Sequence, residues 1–156
     1  MSTQPAASPP IRTILVPTGF SDLSKHAARY ARAIAPVFGA SVIVVHAAEL
    51  PPPAAETAAM IPATAPAPDM AALLESARNG VDVFVRENLE GVEVRTIVTV
   101  GSPDHEIVQA AVREGADLIV MGTHAQGVLK RLVFGSISKS VVESAPCPVL
   151  LVPLRG

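Results

Sequence analysis

"VGSPDHEIVQAAVREGADLIVMGTHA", Val100 to Ala125, is the stretch on which the fold turns. Gly101, Ser102 and Pro103 make a strand-to-helix turn. Ser102 is a good N-cap residue and Pro103 suits the first helical position. Ile107, Val108, Ala111 and Val112 then recur at helical spacing as one buried stripe, and Gly115 closes the helix. "DLIVMG", Asp117 to Gly122, is a short apolar run of the kind found in a strand buried on both faces. Strand, helix and buried strand in succession make the crossover unit of a parallel sheet.

The same alternation extends in both directions. "RTILVP" (Arg12 to Pro17) and "SVIVVHA" (Ser41 to Ala47) read as buried strands. Between them Ser21 can cap a helix whose positive end suits Asp22. Leu23, Ala27, Ala31, Ile34 and Phe38 form its expected stripe, and Gly39 ends it. Residues Asp69 to Glu90 are helical again, with Leu73, Leu74, Ala77, Val81 and Phe84 on one side, although Gly80 and Val81 weaken the middle. "VEVRTIVTV" (Val92 to Val100) alternates and is β-branched, which predicts a strand nearer an edge. A last helix starts near Ser136, with Ile137, Val141 and Val142 inward, and stops at Pro146. "PVLLVPL" is the fifth strand.

Composition narrows the function classes. The chain has 156 residues, 49% of them apolar and 3% aromatic, with a net charge of −2. That length is ordinary for one domain, expected over residues 11–156 behind a frayed tail at 1–10. No broad positive field draws in nucleic acid, and no apolar run is long enough for a membrane span. The start lacks the apolar core of a secretory signal. A lone Cys147 excludes an internal disulfide and fits a reducing cytosol. The Pro/Ala-rich stretch Glu49 to Pro68 reads as a long loop, either a tolerated surface insertion or a lid.

Parallel sheets bind ligands beyond the carboxyl ends of their strands, where strand order reverses. Two turns suit that place: "VPTGFS" after the first strand and "MGTHAQG" after the fourth. "GTHAQG" has the glycine spacing of half a P-loop, but Val128 and Leu129 stand where lysine and a hydroxyl are needed. The dinucleotide fingerprint is also missing after the first strand. Another arrangement survives. Gly122 ends the fourth strand, letting a nucleoside lie close, and Gly135 with Ser136 opens the last helix. Its free N–H groups and partial positive charge suit phosphate, and Ser136 and Ser138 add hydroxyls. Between them "VLKRLVF" is a short apolar excursion carrying Lys130 and Arg131.

Other reactive residues point nowhere in common. His46, at a strand end, reads as a hydrogen-bonded structural residue; His26 and His105 read as exposed; His124 is the histidine best placed for a role. Asp104, His105 and Glu106 are consecutive and diverge around a helix, so they do not make a metal site. Neither serine nor cysteine sits in a nucleophile motif, and Cys147 between two prolines reads as packing.

In "ILVPTGFS", "VIVVHA", the opening stretch and "LVFGSISKSVVESAPCPVLLVP", in this order and spacing, the chain resembles the universal stress protein family over nearly its full length. The resemblance implies an α/β fold with a five-stranded parallel sheet ordered 3-2-1-4-5 and helices on both faces. It implies ATP, with or without magnesium, at the switch point between the first and fourth strands. The adenine would sit near Pro17 and Thr18, with the backbone of Ala47 reading its edge. Met121 and Gly122 would flank the ribose, while His124, Ala125, Gly135, Ser136, Ile137 and Ser138 would surround the phosphates. ATP-binding members carry glycine, two residues, glycine, nine residues, then glycine with serine or threonine. Gly122, Gly135 and Ser136 keep that spacing; Ala125 replaces the middle glycine. Where that position needs a positive φ, alanine costs roughly 1 kcal/mol. Gly19 stands where the family usually has aspartate, a contact to ribose or metal. The resemblance also implies a homodimer through the C-terminal strand. The resulting expectation is a cytoplasmic, nucleotide-binding regulator and not an enzyme. The alternative is a dimeric stress-response scaffold of the same fold that binds no ATP.

Overall fold

The computed structural model describes residues 7–50, 69–126, 131–133 and 135–155, with the backbone alone at 124–126, 131–133 and 155. The elements run β1 (Thr13–Pro17), α1 (Asp22–Phe38), β2 (Ser41–Ala48), α2 (Met70–Asn88), β3 (Val94–Val100) and α3 (Pro103–Glu114), followed by β4 (Leu118–Gln126), β5 (Arg131–Val133), α4 (Ser136–Ser144) and β6 (Val149–Arg155). Most of the tail at 1–10 and nearly all of the Pro/Ala-rich stretch at 49–68 lie outside the described residues.

The five expected strands form a parallel sheet in the order β3-β2-β1-β4-β6, the anticipated 3-2-1-4-5. Two apolar layers sandwich it. Ile14, Val16, Val42, Val44 and Val120 point to the side covered by Ala27, Ala28, Ala31 and Ala35 of α1 and Val81 and Phe84 of α2. Leu15, Ile43, Val45, Ile119 and Met121 point to the side covered by Ile107, Ala110 and Ala111 of α3 and Val141 of α4. Strands covered on both faces carry apolar residues at consecutive positions, which is why their sequences do not alternate.

Val112, Ile137 and Val142, expected inward, are 57%, 40% and 47% exposed, since α3 and α4 cover the sheet with narrower faces, and three further features differ from the sequence reading. First, α1 turns a seam of alanines to the sheet, all fully buried, and leaves Phe38 53% exposed. Small side chains let the helix lie close over the centre of the sheet, and that fit outweighs burying one large ring. Second, β4 does not end at Gly122. It continues to Gln126 and pairs antiparallel with β5, His124 against Val133 and Gln126 against Arg131. The expected excursion is therefore in part a hairpin, with Arg131 in its return strand; Lys130 lies outside the described residues. β6 holds one side of β4 from Ile119 to Ala125, so β5 takes the other side, beyond the point where β1 stops. Third, Ser102 occupies the N-cap of α3 without capping it; its hydroxyl goes to Asp104.

The helix ends behave as expected elsewhere. Ser21 accepts from Ser24 N at the start of α1, and Asp69 accepts from Ala71 N and Ala72 N at the start of α2. Gly39 and Gly115 close α1 and α3 in the left-handed region, with φ of 64° and 60°. There glycine avoids the penalty a Cβ would incur. Asp117 ties the two central strands by accepting from Arg12 N and Thr13 N at 2.8 and 3.0 Å.

Candidate functional site: a cleft at the strand-order switch

β1 has β2 on one side and β4 on the other: the chain passes from β1 through α1 to β2 and on to β3, then returns from β3 through α3 to β4, so the crossovers on the two sides run in opposite directions. The strands separate there, and a cleft of about 630 Å³ opens past their carboxyl ends. Ten of the twelve residues expected at the site line it: Pro17, Thr18, Gly19, Ala47, Met121, Gly122, Gly135, Ser136, Ile137 and Ser138. The side chains of His124 and Ala125 lie outside what the structure describes. Both are strand residues in the hairpin, Ala125 lying between Leu132 and Arg155. Ala125 is thus in an extended ladder, so the expected cost of a positive φ does not arise there.

The first turn is built by hydroxyls. Thr18 Oγ1 donates to Ser24 Oγ at 3.0 Å, Ser24 Oγ donates to the Ser21 carbonyl at 2.9 Å, and Phe20 N donates to Thr18 Oγ1 at 2.9 Å. Thr18 and Ser24 are buried, and this chain satisfies both. It also holds Phe20 at φ 65°, the one non-glycine residue with positive φ among those described. The Phe20 ring lies 4.4 Å from the His46 ring, centroid to centroid, and packs edge-on to Phe84. His46 Nδ1 donates to the Thr18 carbonyl at 2.7 Å, so this histidine is a structural residue, as read. The Phe20 ring fills the space beside Gly80, where a Cβ would come within 2.9 Å of it. Gly80 looked like a weak point of α2; it is where the helix admits an aromatic ring.

Ala47 is placed to offer main-chain groups. In a parallel ladder alternate residues bond to alternate sides. Val42 N and the Ala48 carbonyl bond toward β3, at Glu93 and Gly101, while the Val45 carbonyl accepts from Thr18 N on the β1 side. Ala47 follows Val45 in that alternation. Its N–H and C=O face the space beyond the end of β1, where the chain has turned away at Gly19.

The glycines divide into two kinds. A Cβ on Gly122 would stand 2.5 Å from the Leu23 carbonyl oxygen, so close packing of α1 already demands glycine there. A Cβ on Gly19 would meet nothing within 4 Å, and one on Gly135 only Ser138 Oγ at 3.6 Å, an ordinary contact. Neither has a positive φ. The chain's own packing does not call for glycine at 19 or 135.

Gly135 is the N-cap of α4 at φ −62° and ψ 159°, and among the described residues no side chain caps the N–H groups of the first turn. The first turn of α4 carries no acid either. Its amides keep the partial positive charge of a helix start. Ser138 is 6% exposed and closes the floor beside them. A wall the sequence reading missed comes from α2, at Leu73, Ser76 and Ala77, and from Pro103 and Ile107 of α3. Helical periodicity marked most of these as apolar but could not say that they converge. The one carboxylate among the described lining residues is Glu49. Among the described residues no group of three His, Cys, Asp or Glu could hold a metal, and no helix is long and apolar enough to cross a membrane. Burial pushes the Cys147 thiol pKa up, with the Asp117 charge adding to it, which disfavours the nucleophilic thiolate.

A doubly wound parallel sheet with a glycine- and hydroxyl-lined cleft at its switch point places the chain among the doubly wound α/β proteins. The model of the universal stress protein family matches residues 10–153, and the chain belongs to that family. It is 34% identical over 143 residues to universal stress protein MJ0531 of Methanocaldococcus jannaschii, spanning 90% of this chain and 81% of that one. It is 38% identical over 150 residues to a universal stress protein of Thermus aquaticus, spanning 90% of this chain and 98% of that one. Among solved structures, that of protein MJ0577 superposes with a TM-score of 0.71 at 29% identity, covering 94% of this chain and 99% of that one. A universal stress protein of Archaeoglobus fulgidus in complex with dAMP superposes with a TM-score of 0.58 at 25% identity, covering 90% of this chain and 96% of that one.

Proposed function

We propose that the protein is a nucleotide-binding regulator of the stress response that takes ATP in the switch-point cleft. The observation that carries this reading is Gly135. Glycine opens α4 where neither backbone conformation nor packing within the chain requires it, and a phosphate drawn against the first-turn amides would require it. The dAMP bound by the Archaeoglobus fulgidus relative supports the ligand class.

In this reading the adenine edge meets the main chain of Ala47, with Pro17 and Thr18 beneath the base. Met121 and Gly122 flank the ribose. Gly135, Ser136, Ile137 and Ser138 hold the phosphates through amides and hydroxyls, with His124 and Ala125 on the adjoining hairpin. Gly19 supplies no carboxylate, so magnesium would come in with the phosphates. The protein acts by occupancy, not by turnover, in the cytoplasm. β6 is an edge strand of the sheet with Leu150 36% exposed, which suits pairing with a second copy.

The test is direct. Purified protein is denatured and the supernatant examined for nucleotide absorbance, then melting is followed with and without Mg-ATP. Ligand at about 100 times Kd should add roughly 2.7 kcal/mol of stability. An unmoved transition at millimolar ATP, with no nucleotide released, would leave the scaffold reading in its place.

A further inference from the structure

The Asp104 carboxylate joins two helices. Oδ1 accepts from Ser102 Oγ in the turn that opens α3, and Oδ2 accepts from Ser140 Oγ of α4 at 2.7 Å. Asp104 and Ser140 are 36 residues apart in sequence. Ser140 stands four residues after Ser136 and so lies on the same face, one turn further along. α3 and α4 both present their first turns to the cleft, through Pro103 and Ile107 on one and Gly135 to Ser138 on the other.

α4 begins with glycine at its N-cap and no capping side chain. Such a start is weakly specified, because glycine has the widest choice of backbone conformation and its N-cap makes no side-chain bond to the first amides. Asp104 supplies a fixed point that the cap does not. The two serine hydroxyls hold its pKa down to about 2, so the acid is ionised at neutral pH and accepts charge-assisted bonds.

We propose that Asp104 is a positioning residue of the cleft: by gripping Ser140 it fixes the first turn of α4 against α3 and aims its amides at the bound anion. This rests on the nucleotide reading above. A competing role for Asp104 is local, since an acid in the first turn of α3 stabilises that helix by itself. The two roles differ at Ser140, which the local role does not use.

Mg-ATP is titrated calorimetrically into the wild type and into Ser140→Ala, Ser140→Thr, Asp104→Ala and the Asp104→Ala/Ser140→Ala double variant. Amide exchange of residues 136–140 is measured on each without nucleotide. Ser140→Ala and Asp104→Ala should each weaken binding about 3- to 10-fold, the size of one net hydrogen bond. The double variant should lose no more than the worse single one. Ser140→Thr keeps the hydroxyl and should restore wild-type binding, and exchange at the Lys139 amide, which donates to the Gly135 carbonyl and closes the first turn of α4, should quicken in both alanine variants. A wild type that binds while Ser140→Ala binds as tightly and exchanges at the same rate removes the tether alone. Independent, additive losses also overturn it. A wild type that binds no nucleotide removes the cleft reading and this proposal with it.

Discussion

The Leu23 carbonyl oxygen stands 2.5 Å from the place a Cβ on Gly122 would occupy. The start of α1 and the end of β4 touch main chain to main chain, and the neighbour is a backbone atom that cannot rotate aside. Gly122→Ala should therefore push α1 outward and destabilise the protein by about 1–3 kcal/mol. Urea denaturation would read this as a lower midpoint at unchanged slope. An unaltered midpoint would mean that α1 yields freely and that the glycine serves something other than packing.

Gly80 makes a prediction whose sign depends on its neighbour. In an isolated helix Gly→Ala gains about 1 kcal/mol. Here the new methyl meets the Phe20 ring, which His46 and Phe84 hemmed in on other sides, so Gly80→Ala should destabilise. With Phe20→Ala already made, the obstacle is gone and the same substitution should stabilise. Four melting curves complete the cycle, and additive effects would refute the account.

Asp117 accepts two main-chain N–H groups from the start of β1. Asp117→Ala would strand the half-buried Thr13 amide, at a cost of about 1–3 kcal/mol. Hydrogen exchange at Thr13 should quicken before exchange in the rest of β1 does. Equal protection in both proteins would show that another group takes over the bond.

Acid should reveal Asp104. Its pKa falls from 3.8 to about 2 in the folded protein, chiefly through Ser102 and then Ser140. A depressed acid contributes stability that is complete above its unfolded pKa and disappears as pH falls through the folded one. The stability difference between wild type and Asp104→Asn should thus hold steady above pH 5 and shrink from about pH 4 toward pH 2. A difference that stays constant across that range would contradict the hydrogen-bonded carboxylate.

Gly135→Val tests the cleft itself. A Cβ at this position meets only Ser138 Oγ, at 3.6 Å, among the described residues. The variant should melt within about 1 kcal/mol of the wild type yet lose the ATP-dependent stabilisation. An ATP shift that survives the substitution would place the phosphates elsewhere.

Periodicity and end signals along the chain were sufficient for the alternation of strands and helices, the caps at Ser21, Gly39 and Gly115, and the site of the cleft. These are local properties: apolar spacing, cap chemistry and glycine φ are settled within a few residues of one another. What depended on the third dimension was which side chains meet. Nothing near Gly80 in sequence announces Phe20, and nothing near Gly122 announces the Leu23 carbonyl. In sequence Asp104 is one of three residues that diverge around a helix and make no metal site; its partner, Ser140, lies on another helix. The hairpin at Gln126 and Arg131 has no signature in the sequence, because a short strand beyond the end of β1 is held by one neighbour's free edge, not by its own pattern. The same holds for α1: hydrophobicity alone favoured Phe38, while the distance between helix and sheet selected alanines. Backbone conformation is encoded residue by residue, but close packing is a property of pairs that only the folded chain brings together.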